Sequence, residues 1–394
     1  MDTQKRKRFE VVMFWVIMAA AISTVNAQSP FFITGTPITV EQGAGIVIGD
    51  FNGDRIPDLL TKHERFVTLS IGDGRGNFAR QKPPQSLVCE PTYLTLVDVN
   101  KDGLMDLGMT AKQNNQELVY IYIGTISGIF ELAPGSPLKI SEEARFYKPS
   151  LRFADLNEDG NADFIASNER RNTLHVYTGD GAGKFTSSGT ITLDPDKWTY
   201  TFALTDLDGD QHVDLITTSG AIVSGPAPGK LFFRKGTGKG TFSAPSQEVW
   251  EVPADPRLAL VTDLNGDQYA DLVLVHGRDK VLTTLISDGR GKFSTVKQSP
   301  MKMTAFTVVA TDVNGDKHLD LVAATVDGRT PPHPSRLEVL IGDGAGSFDA
   351  AENAAVPTPP ASYRLVSQDL NNDGKSDLVI SSFGAKKLTV LYGR

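Results

Sequence analysis

The sequence predicts an all-β chain folded as a seven-bladed β-propeller of four-stranded antiparallel blades, closed by its N-terminal strand. Three observations predict it. An acidic loop, DxNxDxxxD followed by Leu or Phe, begins at Asp50, Asp98, Asp155, Asp206, Asp263, Asp312 and Asp369. Successive starts lie 48, 57, 51, 57, 49 and 57 residues apart, the near-constant period of a repeat architecture. Short apolar runs with strand patterning recur around every loop with no helical period between them, and the last unit lacks a fourth strand that the start of the chain could supply.

The chain opens on a targeting segment. Lys5, Arg6, Lys7 and Arg8 precede an apolar run over 11–22, and Val25, Asn26 and Ala27 offer small residues for cleavage after Ala27. A membrane anchor is the alternative, but the run is short for about 30 Å of hydrocarbon. No later stretch is a membrane-span candidate. The expected organisation is a signal peptide over 1–27 and one propeller over 28–394, exported to a periplasmic or extracellular location. The mature 367 residues allow about 52 per unit. Cys89 is the only cysteine, so no internal disulfide can stabilise the exported protein. It reads as a small buried hydrophobe rather than a reactive thiol.

Each unit begins with an alternating segment before its loop, as at 94–97, 258–261 and 306–309, the pattern of a first strand. The loop runs directly into a second apolar run rich in branched residues, as at 271–275 and 377–380. A third follows at 119–123, 174–177 and 337–341. It ends in a glycine-rich turn before a Phe, at 72–78, 179–185, 236–242, 287–293 and 342–348, with 124–130 a degenerate copy. Clustered glycines permit the positive φ of a tight hairpin, and the Phe starts the fourth strand. A phosphate-cradling loop would need a helix straight after the glycines, and none follows. The seventh unit stops at its third strand, 388–394, while residues 31–40 resemble a fourth strand without an owner. Joining the two removes an exposed sheet edge.

The loops carry the candidate chemistry. Positions one, three, five and nine supply Asp50, Asn52, Asp54 and Asp58; Asp98, Asn100, Asp102 and Asp106; Asp155, Asn157, Asp159 and Asp163; Asp206, Asp208, Asp210 and Asp214; Asp263, Asn265, Asp267 and Asp271; Asp312, Asn314, Asp316 and Asp320; and Asp369, Asn371, Asp373 and Asp377. Asp, Asn and Gly are good turn formers in their own right. A turn alone would not gather three mutually repelling carboxylates. Oxygen-only ligands in a flexible loop point to Ca²⁺ before Mg²⁺, with up to seven ions. Position seven varies from Ile56 to His212, His318 and Lys375, so only its main-chain carbonyl could serve, and the two His read as solvated side chains. Position six is Gly103, Gly160 and Gly374 in three loops but Arg55, Gln211, Gln268 and Lys317 in the others, which predicts weaker binding in those four.

Net charge is −8, of which the targeting segment contributes +2, leaving −10. This argues against a nucleic-acid partner. However, 22 of the 47 acidic residues are Asp at positions one, three, five and nine of the loops, and seven divalent ions would bring the mature chain to +4.

An EF-hand or a dockerin would need an acid at position twelve, where this chain has Thr61, Met109 and Ala166. The sevenfold loop instead resembles the FG-GAP and VCBS repeat family, whose best-known members form the seven-bladed head of integrin α subunits. The resemblance covers essentially the whole mature chain. It implies Ca²⁺ held between a blade's first two strands by the acidic side chains and the position-seven carbonyl, with the ninth-position Asp, such as Asp58 or Asp271, bidentate. It is less specific about function, since such propellers serve in adhesion, in lectins and beside catalytic domains.

In a propeller the acidic loops and glycine turns share one face, which leaves the opposite face for the longer, more variable connections. Trp198, Tyr200, Trp250, Arg257, Tyr363 and Arg364 lie on or beside these, and aromatic residues with Arg are favoured at binding surfaces. Packing between blades is their alternative role. The leading expectation is a monomeric, secreted binding or adhesion module for a glycan or an extracellular protein. A propeller-based polysaccharide lyase or hydrolase is the rival. The six His are scattered and no nucleophile motif appears, so no enzyme is expected. His63 or His276 beside an Arg and a carboxylate in an open pocket would be the mark of catalysis.

Overall fold

A computed structural model describes residues 29–394 except 44, 82, 142–149, 169–171, 194–196, 222–227, 247–248, 278, 328–333, 353 and 383–384. The targeting segment expected over 1–27 lies outside the described residues. All described regular structure is strand, arranged as seven antiparallel sheets.

Each sheet is one blade, and its strands pair in chain order from the axis outward. Blade one comprises Gly45–Gly49, Asp58–His63, Phe66–Gly72 and Phe78–Arg80, and blade two Pro91–Val97, Asp106–Gln113, Gln116–Gly124 and Phe130–Leu132. Blade three comprises Leu151–Ala154, Asp163–Asn168, Thr173–Gly179 and Phe185–Thr192, and blade four Lys197–Thr205, Asp214–Ala221, Gly229–Arg234 and Trp250–Val252. Blade five comprises Pro256–Thr262, Asp271–His276, Val281–Ser287 and Phe293–Pro300, and blade six Thr304–Thr311, Asp320–Val326, Ser335–Gly342 and Phe348–Ala350. Blade seven takes Ser362–Gln368, Asp377–Ser382 and Ala385–Gly393 from the end of the chain. Its fourth strand comes from the start: Phe32 pairs with Gly393 and Ile38 with Leu388. The expected closure is borne out.

The second strand of a blade is covered on both faces, so it reads as a continuous apolar run rather than an alternating one. Its residues divide by parity between two neighbours. In blade five Leu272 and Leu274 pack with Ile216 and Leu231 of blade four, whereas Val273 and Val275 pack with Leu321 and Leu340 of blade six. Each of the seven apolar clusters is shared by two adjacent blades, and one joins Val379, Leu388 and Val390 of blade seven to Ile46 and Leu59 of blade one. No blade can bury its faces alone, which is why the ring must close.

First strands touch the first strands of both neighbours all round the ring, so they line the axis. In blades two, four, six and seven this inner strand bulges at the residue six before the loop's first Asp: Thr92, Tyr200, Phe306 and Tyr363 are each skipped by the pairing. These bulges lie toward the end of the strand away from the acidic loops.

Candidate metal loops and the distal rim

The ninth-position Asp opens the second strand, and all seven copies, Asp58, Asp106, Asp163, Asp214, Asp271, Asp320 and Asp377, have 0 % exposure. Each carboxylate accepts two main-chain N–H groups. In blade five Leu264 N donates to Asp271 Oδ2 and Ser287 N to Oδ1, both at 2.8 Å. The same pair recurs in the other six blades. The residue therefore staples its acidic loop to the end of the third strand, where the glycine turn begins. Burial pushes Asp106 and Asp214 up to about 6, against the lowering effect of their two hydrogen bonds, and the neighbouring loop carboxylates add to the rise. A bound cation would oppose that rise.

The remaining positions are held by the loop's own backbone. The position-six N–H donates to Oδ2 of the position-one Asp in every loop, at 2.7 Å from Arg55 to Asp50 and 2.8 Å from Gly160 to Asp155. The position-seven N–H donates to the position-five Asp, as from Tyr269 to Asp267 at 2.9 Å. In six loops the position-three Asn then donates its Nδ2 to the other position-five oxygen. The loop is thus shaped by its own backbone. Asp98 Oδ1 and Asp155 Oδ1 are buried without a partner. These orphaned anionic oxygens, in an all-oxygen donor set, fit a hard divalent cation.

The ranking of loops by position six does not survive. Positions four and six are both left-handed in every loop, and each loop has one glycine between them: Gly53, Gly209, Gly266 and Gly315 at four, or Gly103, Gly160 and Gly374 at six. The non-glycine partner also has positive φ, as at Lys101 (60°) or Gln268 (73°). Every loop carries one non-glycine residue at positive φ, so the identity of position six alone does not rank them. His212 turns toward Glu158 of the neighbouring loop, whose carboxylate raises the imidazole pKa, so its side chain serves a contact between loops.

Glycine turns tie blades one, four and five to the blade before. Gly76 N donates to Leu370 O at 2.9 Å, Gly240 N to Leu156 O at 2.7 Å and Gly291 N to Leu207 O at 3.3 Å. At Gly76, φ is +79° and an added Cβ would lie 2.3 Å from the Tyr392 hydroxyl, so both conformation and space demand glycine.

At the distal end the candidates separate. Trp250 packs edge-on against Phe293, ring centroids 4.9 Å apart, within the cluster between blades four and five. Arg257 and Arg364 are exposed, Arg257 reaching Asp255 at 3.4 Å. The backbones of Trp198, Tyr200 and Tyr363 sit in inner strands, while their side chains lie outside the described residues. Phe306, 44 % exposed, was missed. Its signal was positional: Tyr200, Arg257, Phe306 and Tyr363 each stand six residues before a loop Asp, in blades four to seven. His276 is 1 % exposed and bonded to Thr283 Oγ1 at 2.9 Å and to the Ala254 carbonyl at 3.3 Å. Burial lowers its pKa, which leaves a neutral core residue.

The FG-GAP-like repeat family matches residues 155–217, 263–323 and 312–380. No curated protein matches the chain. Among solved structures, an Agrocybe aegerita lectin that specifically recognises non-reducing terminal N-acetylglucosamine is 15 % identical, with a TM-score of 0.54 over 88 % of this chain and 87 % of its own. BBS1N, solved in complex with ARL6DN, is 12 % identical with a TM-score of 0.58 over 91 % and 96 %. A Lactobacillus plantarum protein is 14 % identical with a TM-score of 0.56 over 84 % and 89 %. At these identities the likeness is one of fold.

Proposed function

We propose that this chain of FG-GAP-like repeats, closed into a seven-bladed propeller, is an exported, calcium-stabilised binding module that engages a glycan or a protein through the end opposite its acidic loops. One observation carries the reading: four consecutive blades place Tyr200, Arg257, Phe306 and Tyr363 six residues before the loop Asp, toward the end of the axis-lining strand away from the loops, the three aromatic residues at bulges and Arg257 paired with Val275. Aromatic residues with Arg suit stacking on a sugar or anchoring a protein side chain, and of these four Phe306 and Arg257 are exposed. The lectin and the BBS1N complex are propellers of the same fold that bind a glycan and a protein. Burial of His276 and commitment of the recurrent acids to the loops favour binding over catalysis.

The test is a screen of the mature protein against polysaccharides and extracellular proteins, scored for retention and for depolymerisation. Arg257→Ala with Phe306→Ala should weaken the retained partner about 10- to 100-fold while calcium uptake is unchanged. Depolymerisation would instead select the lyase or hydrolase. Parent-like affinity of the double variant would move the site off the rim.

Calcium has its own test. Extracellular sites bind at about 0.1–1 mM, so millimolar Ca²⁺ should stabilise each occupied loop by roughly 0.4–1.4 kcal/mol. Excess chelator should lower the melting temperature, and an unchanged thermal transition would remove the ion's structural role.

A further inference from the structure

We infer that the acidic loop of blade four holds the Lys235 ammonium as a built-in cation, in place of the calcium ion proposed for the other loops. This rests on the calcium reading. Two departures from the repeat meet at this loop. Position three is Asn in the six other loops but Asp208 here, which adds a negative charge. The residue at the end of the third strand, just before the glycine turn, is Ile71, Ile123, Thr178, Ile286, Ile341 or Tyr392 in the other blades but Lys235 here. Both departures belong to one pair of contacts. Lys235 Nζ lies 2.7 Å from Asp208 Oδ2 and 2.9 Å from Asp210 Oδ2.

In the other loops the position-three amide donates to the position-five carboxylate. Asp208 has no hydrogen to donate, so the two carboxylates would face each other across the loop, and the ammonium supplies the missing donors to both. One oxygen from each of Asp206, Asp208 and Asp210 falls within 4.8 Å of the others, the spacing of a cation site. The backbone of the loop is shaped as elsewhere: Gly209 N and Gln211 N donate to Asp206 at 2.7 and 2.8 Å, and His212 N to Asp210 at 2.9 Å. What differs is the cation. A tethered ammonium binds at a fixed effective concentration and does not leave when free calcium falls. A divalent ion entering the same oxygens must displace it or sit beside a like charge.

The experiment counts calcium ions on the folded, full-length mature protein, by native mass spectrometry and calorimetric titration, for the parent and for Lys235→Ile, which installs the residue four other blades use. The variant should bind one ion more than the parent, and in chelator it should melt below the parent, recovering when calcium is added. Lys235→Gln, neutral and nearly as long, makes the same count if the isoleucine variant does not fold. Equal, non-zero counts in parent and variant would overturn the inference and leave the calcium reading standing. No calcium on either protein would remove the calcium reading and this inference with it.

Discussion

Asp271→Ala should lower the unfolding free energy by about 2–6 kcal/mol, because it strands the buried N–H groups of Leu264 and Ser287 at roughly 1–3 kcal/mol each. The loss should appear with or without calcium, since both donors are main-chain groups of the fold. Asp271→Asn is the sharper variant. Its amide oxygen can replace one acceptor, but its NH₂ must face the other donor, so isosteric replacement should still cost about 1–3 kcal/mol. Asp267→Ala, five residues into the same loop and exposed, should stay within about 1 kcal/mol of the parent in chelator while losing an ion in calcium. Denaturant unfolding of the three variants, each with chelator and with calcium, separates the staple from the ligand. Parent-like stability of Asp271→Asn in both conditions would show that the two hydrogen bonds do not hold the loop.

Deleting residues 31–43 should open the ring. Phe32 and Val40 are 3 % and 5 % exposed, and their strands cover Ala385–Gly393. Without them the third strand of blade seven becomes an unpaired edge of nine residues, and its Leu388, Val390 and Leu391, all buried in the intact ring, lose part of their cover. Such an edge templates pairing with another chain. The truncated protein should aggregate or be cut rapidly by protease at concentrations where the parent is soluble. Light scattering after size exclusion, with limited proteolysis, reads both. A monomeric, protease-resistant truncation would mean that blade seven does not need this closure.

Both experiments probe features with different visibility in the sequence. The number of blades, their strands and the Phe32–Thr34 closure were legible because they are written in local pattern: a nine-residue loop repeated seven times, branched runs after it, and a missing strand at one end matched by a spare at the other. The recurrent acidic positions of the loops were legible for the same reason. The ground for ranking the loops falls away because position six was considered without position four. Its glycine count was present in the sequence, but its meaning depends on φ at both residues, which only the folded loop displays.

Contacts between distant residues decided the rest. Asp271 sits next to Leu272 in every reading of the chain, yet its second hydrogen bond goes to Ser287, sixteen residues away across the blade. Lys235 lies 27 residues from Asp208 and carries no motif of its own; only the pairing of the second and third strands of blade four brings the ammonium to the loop. Phe306 looked like one more apolar residue of an alternating strand until the bulge in blade six removed it from the pairing. Periodicity and composition determine which segments become strands and loops, because those choices are made over a few residues. Which charges meet and which carboxylate is buried depend on strand register and on the neighbouring blade, and these exist only once the ring has closed.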